Sequence, residues 1–237
     1  MKYMGSKRRI AKHILPIMID VADKSGITTW VEPFVGGANL IDKVPNRFTR
    51  IGCDINPHTI AALIGIRDHA NDLPDIVTEL EYKKIKSSAP DPINSLIRFG
   101  ASFGGRFDEG YARGTDTKGN PRNYWLEAKR NALKQSPLLR DIDISCSCYS
   151  ELSPINSIVY CDPPYLGTKG YRTGKFDTDK FFDWCRKISK NNIVFVSEYA
   201  APPDFTEVWS GVQNSSLSLN VKESKNTSIE KLFIIKN

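Results

Sequence analysis

The sequence predicts an α/β fold, a sheet of short buried strands with helices around it, interrupted by an inserted helical and loop subdomain. Three observations lead there. Short apolar runs recur, each ending at an acid or a breaker: TTWVEPF (28–34), RIGCDIN (50–56) and SIVYCD (157–162). VGGANL follows the first run and a helical pattern follows the second, which together make the first half of a nucleotide-binding βαβ unit. Residues 70–150 differ in character, rich in charge and turn-forming residues, before the strand pattern returns.

Taken in order, residues 6–22 place Ile10, Ile14, Ile17 or Met18, and Val21 at three- to four-residue spacing. This predicts an amphipathic helix with a basic start, disturbed at Pro16. TTWVEPF predicts a buried strand, and Gly36-Gly37 a tight turn into a helix. RIGCDIN predicts a second strand with Asp54 at its tip, and PHTIAALIGIRDHA a helix with Pro57 in its first turn. In the middle, NDLPDIVTELEYKKIKSSA and YWLEAKRNALKQ (124–135) predict helices, with a glycine-rich loop or hairpin over 102–123. Strands are expected at SIVYCD and NIVFVSEY (192–199), then an antiparallel hairpin of SLSLNVK (216–222) and EKLFIIK (230–236). The chain thus divides into one body from 1–69 and 151–237, and an insertion at 70–150.

Composition narrows the function classes. Within 237 residues, 40% hydrophobic and 25% charged, no apolar run approaches a membrane span. The start MKYMGSKRRI lacks the apolar core of a secretory signal, so a cytoplasmic location is expected. Five cysteines, irregularly spaced, and three histidines without ligand spacing predict no metal site and reduced, core-filling thiols. A net charge of +6 is compatible with a polyanionic partner without requiring one.

In an open α/β sheet, ligands sit outside the carboxyl ends of the strands, so EPFVGGAN, CDIN and CDPPY are expected along one edge. Gly36 and Gly37 permit close backbone approach to a ligand, or simply a tight turn. Asp54 can accept from ribose hydroxyls, or cap a helix. The most specific tip is Asp162-Pro163-Pro164-Tyr165. Two prolines lack donors, so their carbonyls can face a cleft; Asp162 adds an anionic acceptor, and Tyr165 a face for a heterocycle. An exocyclic amine, which donates two hydrogens, matches such a site.

These residues bring out a resemblance. KYMGSKRRI, VEPFVGGANL, CDIN, VYCDPPY and EKLFIIK occur in the order found in the Dam-type DNA adenine methyltransferases, and SFGGRFDEGYAR is similar to phage-encoded members. The resemblance spans nearly the whole chain and implies a Rossmann-like class I fold that uses S-adenosylmethionine to methylate the amino group of adenine in double-stranded DNA. It implies that Tyr3, Gly5 and Lys7 line the methionine end of the cofactor pocket and that Glu32, Pro33, Phe34 and Gly36 form its floor. Asp54 would hold the ribose and Ile55 the adenine ring. Asp162, which also borders the cofactor, would hold the target amine with Pro163 and Pro164, and Tyr165 would stack on the flipped base. Ser6 stands where the family often has a second glycine. No metal and no membrane partner are implied, and a monomer or weak dimer is expected.

From Arg106 to Lys134, seven basic residues outnumber four acids, with Tyr111, Tyr124 and Trp125 interleaved. Arg106, Arg113, Lys118 and Arg122 are the expected DNA contacts, the alternative being a solvated charged loop. Two rivals remain open: a catalytically silent nucleic-acid-binding protein of this fold, and an amino-methyltransferase acting on cytosine or RNA.

Overall fold

The computed structural model describes residues 1–165, 176–214 and 227–235. Its strands are β1 (Thr29–Glu32), β2 (Thr49–Asp54), β3 (Ile142–Cys146), β4 (Ser157–Cys161), β5 (Ile193–Glu198), β6 (Thr206–Asn214) and β7 (Thr227–Ile235). Its α-helices are α1 (Ala11–Ser25), α2 (Pro57–His69), α3 (Glu79–Ile85), α4 (Pro92–Gly100), α5 (Tyr124–Leu139) and α6 (Thr178–Ser189). The strands form one sheet in the order β3-β2-β1-β4-β5-β7-β6. The first five are parallel, and β7 runs antiparallel between β5 and β6. Strand order reverses between β1 and β4, which opens a crevice at their carboxyl ends.

The apolar runs that predicted strands are continuous because helices cover both faces of the parallel part. Trp30, Ile158, Tyr160 and Phe195 pack on one face beneath residues of α1, α2, α4 and α5. Val31, Val159, Cys161, Val194 and Val196 pack on the other against α6. The first helix runs unbroken through Pro16. An interior proline costs about 3 kcal/mol, whereas burying Ile14, Leu15 and Met18 contributes roughly 1.5–3 kcal/mol each, so packing wins.

Several elements differ from expectation. After Gly36-Gly37 the chain forms turns and a short 3-10 helix, Ile41–Lys43, and no α-helix. The carbonyls of Gly37 and Ala38 instead accept hydrogen bonds from Gln135 Nε2 on α5, both at 3.1 Å, and the Asn39 carbonyl accepts from Lys43 Nζ at 2.7 Å. The helix expected over residues 71–89 shrinks to α3, opened by a Thr78–Glu81 capping box. Helix α4 and strand β3 were not expected, and β3 lies inside the 70–150 stretch yet pairs with β2. The terminal hairpin exists, but β7 pairs with β6, while the expected strand 216–222 lies outside the described residues. Cys53, Cys161 and Cys185 are buried as core filling; Cys146 is exposed and Cys148 partly so.

Candidate active site

Parallel pairing of β1 with β4 sets Val31 beside Val159, so the segments that leave these strands emerge together at the crevice. Asp162 leaves β4 there, and the amino-terminal segment meets it. Lys7, in a 3-10 turn capped by Ser6, places Nζ 3.0 Å from Asp162 Oδ1 and 3.2 Å from the Gly5 carbonyl. The same ammonium lies 3.7 Å from Glu230 Oε2 and 4.4 Å from the centroid of the Tyr165 ring. Tyr165 donates its hydroxyl to Glu230 Oε2 at 2.6 Å, and Tyr199 packs edge-on against its ring at 4.7 Å.

The electrostatics follow from burial. Only 8% of the Lys7 side chain is exposed, which works against its charge, yet Asp162 and Glu230 outweigh that and hold its pKa above the ordinary value. Burial pushes the Asp162 carboxyl up, and Lys7 pulls it back in part. Burial, with Asp162 and Glu230 nearby, drives the Tyr165 phenol well above its usual value, so it stays a neutral donor.

The second half of the site lies at the tips of β1 and β2. Gly36 sits at φ +47, and a Cβ there would fall 2.9 Å from Tyr3 Cε1. At Gly37 a Cβ would fall 2.7 Å from Tyr3 Cβ. The glycine pair therefore makes room for the chain's own Tyr3. The Asp54 carboxylate accepts from Gly36 N at 3.1 Å and Asn56 N at 2.9 Å, and burial raises its pKa to about 6. Ile55 beside it is 54% exposed, an apolar side chain open to a ligand. Glu32 is buried, accepts from Trp30 Nε1 at 3.0 Å, and is pushed by burial up to about 8. Pro33 links it to Phe34, which joins an aromatic cluster with Tyr149, Phe176 and Phe181.

The basic middle segment is a hairpin-like loop. Backbone bonds Ala112 N to Ala101 O (2.8 Å), Phe103 N to Gly110 O (2.9 Å) and Arg122 N to Gly114 O (2.9 Å) close it. At its base Arg98 and Asp108 form a buried bidentate ion pair, with contacts of 2.7 and 2.6 Å. Arg113 and Arg122 line one cleft of about 410 Å³ with Tyr111 and Tyr124. Both are paired internally, Arg113 with Glu79 and Arg122 with Glu127 at 2.6 Å. Lys118 is exposed at the hairpin tip, and Arg106 is partly buried. The amino-terminal segment ties this loop to the site: Lys2 Nζ lies 5.2 Å from the Tyr124 ring centroid, and Tyr3 packs on Phe99 at 5.6 Å.

Sequence reasoning passed over Glu230, Tyr199, Gln135 and Tyr149. Glu230 lies inside the EKLFIIK run already singled out, and an acid opening the apolar half of that strand was the available signal. Gln135 carried none, since a polar residue on an amphipathic helix ordinarily faces water. Among the described residues, no group of histidine, cysteine and acidic side chains could hold a metal ion.

A doubly wound sheet with a glycine turn after β1, an acid ending β2 and an Asp-Pro-Pro-Tyr exit from β4 is consistent with a Rossmann-like methyltransferase fold. Residues 3–92 match the model of the D12 class N6 adenine-specific DNA methyltransferases. The chain is also 25% identical over 221 residues to the Type II methyltransferase M.FokI of Planomicrobium okeanokoites, covering 78% of this chain and 31% of that protein. The chain therefore spans about a third of that relative's length. The likeness to Dam-type adenine methyltransferases is borne out, and the family match covers the segments of Tyr3, Lys7, Gly36 and Asp54.

Proposed function

We propose that this chain is a site-specific DNA adenine methyltransferase, moving a methyl group from S-adenosylmethionine to the exocyclic amine of an adenine swung out of duplex DNA. One observation carries this above the rest. The Asp162 carboxylate, at the mouth of the crevice, already holds a nitrogen donor at 3.0 Å, the ammonium of Lys7. It is therefore an acceptor for N–H groups at the place where the Asp-Pro-Pro-Tyr segment leaves the sheet.

The residues at the other half of the site fit the donor. Each Asp54 oxygen has accepted one backbone N–H and keeps a further lone pair for a ribose hydroxyl. Ile55 offers its exposed side chain to an adenine ring, and Gly36 lets the floor formed with Glu32, Pro33 and Phe34 come close. Tyr3, Gly5 and Lys7 take the methionine end, which puts Lys7 at the meeting point of the two ligands. When bound, the cofactor supplies an electrophilic methyl group on a sulfonium sulfur.

Adenine's amine is a weak nucleophile because its lone pair is delocalised into the ring. Asp162 and the Pro163 carbonyl accept its hydrogens, which favours a pyramidal nitrogen, and Pro164 fixes the turn that aims them. Tyr165 stacks on the base and offsets part of the few kcal/mol that extrusion from the helix requires. The site would hold amine and methyl in line for the advantage of proximity, and as the methyl left its sulfur for the nitrogen, the Asp162 carboxylate would take the proton that the amine loses. Arg106, Arg113, Lys118 and Arg122 contact DNA, the two paired arginines exchanging their carboxylates for phosphates. Residues 1–69 and 151–237 form the catalytic body and 70–150 the recognition part, from which β3 returns to the sheet. The protein acts in a bacterial or phage-infected cytoplasm as a monomer or weak dimer.

The test is transfer of labelled methyl groups to mixed-sequence duplex DNA by the wild type and by Asp162→Ala. Label in the wild type, and its loss in a variant that keeps its circular dichroism spectrum, is the expected result. DNA binding without any label would make the chain a silent binding protein. Label in RNA alone would move the substrate.

A further inference from the structure

We infer that Glu230 is a positioning residue of this site, setting the Tyr165 ring through its hydroxyl and giving Lys7 an acceptor when Asp162 takes the target amine. This rests on the adenine-methyltransferase reading. Glu230 reaches the crevice from β7, the antiparallel strand beyond β5, and lies 65 residues from Tyr165 in sequence. One of its oxygens, Oε2, faces two partners: the Tyr165 hydroxyl at 2.6 Å and the Lys7 ammonium at 3.7 Å. Lys7 also stands 4.4 Å from the Tyr165 ring centroid, and Tyr199 packs edge-on at 83° on that ring. The platform is therefore held at its hydroxyl and along its edge, with its carboxylate tether only 13% exposed.

The second role follows from competition at Asp162. Its Oδ1 is engaged by Lys7 at 3.0 Å, and an incoming amine that takes this oxygen shares it with that ammonium or displaces it. A buried lysine cannot simply lose its partner, because an unpaired buried charge is strongly unfavourable. Glu230 lies just outside hydrogen-bond distance, and a carboxylate oxygen that already accepts one O–H retains capacity for another donor. Lys7 can thus pass from Asp162 to Glu230 as the base enters, staying paired throughout. A carboxylate at position 230 that merely tied β7 to the loop after β4 would need neither its charge nor its place beside Lys7.

Glu230→Gln separates the two. Glutamine keeps the size and an oxygen for the Tyr165 hydroxyl but removes the charge that receives Lys7. The experiment measures kcat and KM on duplex DNA, together with fluorescence of 2-aminopurine at the target position, which rises when the base leaves the stack. Glu230→Gln should retain the fluorescence rise and a KM near the wild type, while kcat falls about 10- to 100-fold. Glu230→Ala should lose part of the fluorescence rise as well, because the Tyr165 hydroxyl then keeps only its bond to Asp162. A Glu230→Gln variant with wild-type kcat overturns the inference, whatever Glu230→Ala does, including failing to fold. A wild type that methylates no adenine overturns the reading beneath it, and that failure shows before any variant is compared.

Discussion

Replacing Glu32 by glutamine should change how stability depends on pH, and the structure gives the size of the change. Glu32 is 3% exposed and accepts from Trp30 Nε1, a bond that glutamine's carbonyl can keep. Its folded pKa is about 8 against an ordinary 4.5, raised first by burial. The native protein thus holds this proton where the unfolded chain has released it. Its effect is a stability loss that begins at pH 4.5, grows up to pH 8 and is constant beyond, at about 1.4 kcal/mol per pH unit. Asp54, raised to about 6, acts in the same direction but only between its ordinary 3.8 and 6. The Met1 ammonium, lowered by burial from 8.0 to about 5, acts oppositely between those values. It is present in both proteins and cancels in their difference. Between pH 6 and pH 8, the stability of Glu32→Gln relative to the wild type should therefore rise by about 2–3 kcal/mol. Urea unfolding of both proteins at pH 6, 7 and 8 measures it. A difference that stays flat across that range would refute a buried, protonated Glu32.

Two further outcomes follow from the site. Gly36→Ala introduces a Cβ at φ +47, 2.9 Å from the Tyr3 ring, and should cost about 1–2 kcal/mol in unfolding free energy and weaken cofactor binding in calorimetry. Arg122→Ala removes an exposed pair with Glu127, so stability should move by less than about 1 kcal/mol. In the same variant the slope of log affinity for DNA against log salt should fall by about 1, and an unchanged slope would take Arg122 off the phosphate path.

Much of the frame was legible because parallel strands covered on both faces leave continuous apolar runs. Ile158 to Cys161 and Val194 to Val196 are such runs, and the acids at their tips stand out against them. Asp54, Gly36 and Asp162 were legible for the same reason: each breaks a local pattern where a turn must come. What could not be read depends on contacts distant in sequence. Where a helix was expected after Gly37, that residue's carbonyl instead accepts from the Met1 ammonium at 2.7 Å and from Gln135, 98 residues away. Strand β3 offers only Ile142 and Ile144 to the core, too short an alternation to separate from a loop. In β6, Gly211 and the exposed Val212 weaken the pattern of an edge strand. At the site, Lys7 was assigned to the cofactor by likeness alone, and its pairing with Asp162 and Glu230 emerges only when the chain's two ends meet. The internal pairing of Arg113 likewise needs the fold, since Glu79 lies on a separate helix.

The most direct test of the central claim is the chemical identity of the methylated product. Duplex DNA incubated with the protein and labelled S-adenosylmethionine is hydrolysed to nucleosides and separated by mass spectrometry. Label in N6-methyladenosine, as the deoxynucleoside, is the predicted result. Label in methylated cytosine would contradict it, as would no label in a wild-type protein that is folded and binds the cofactor.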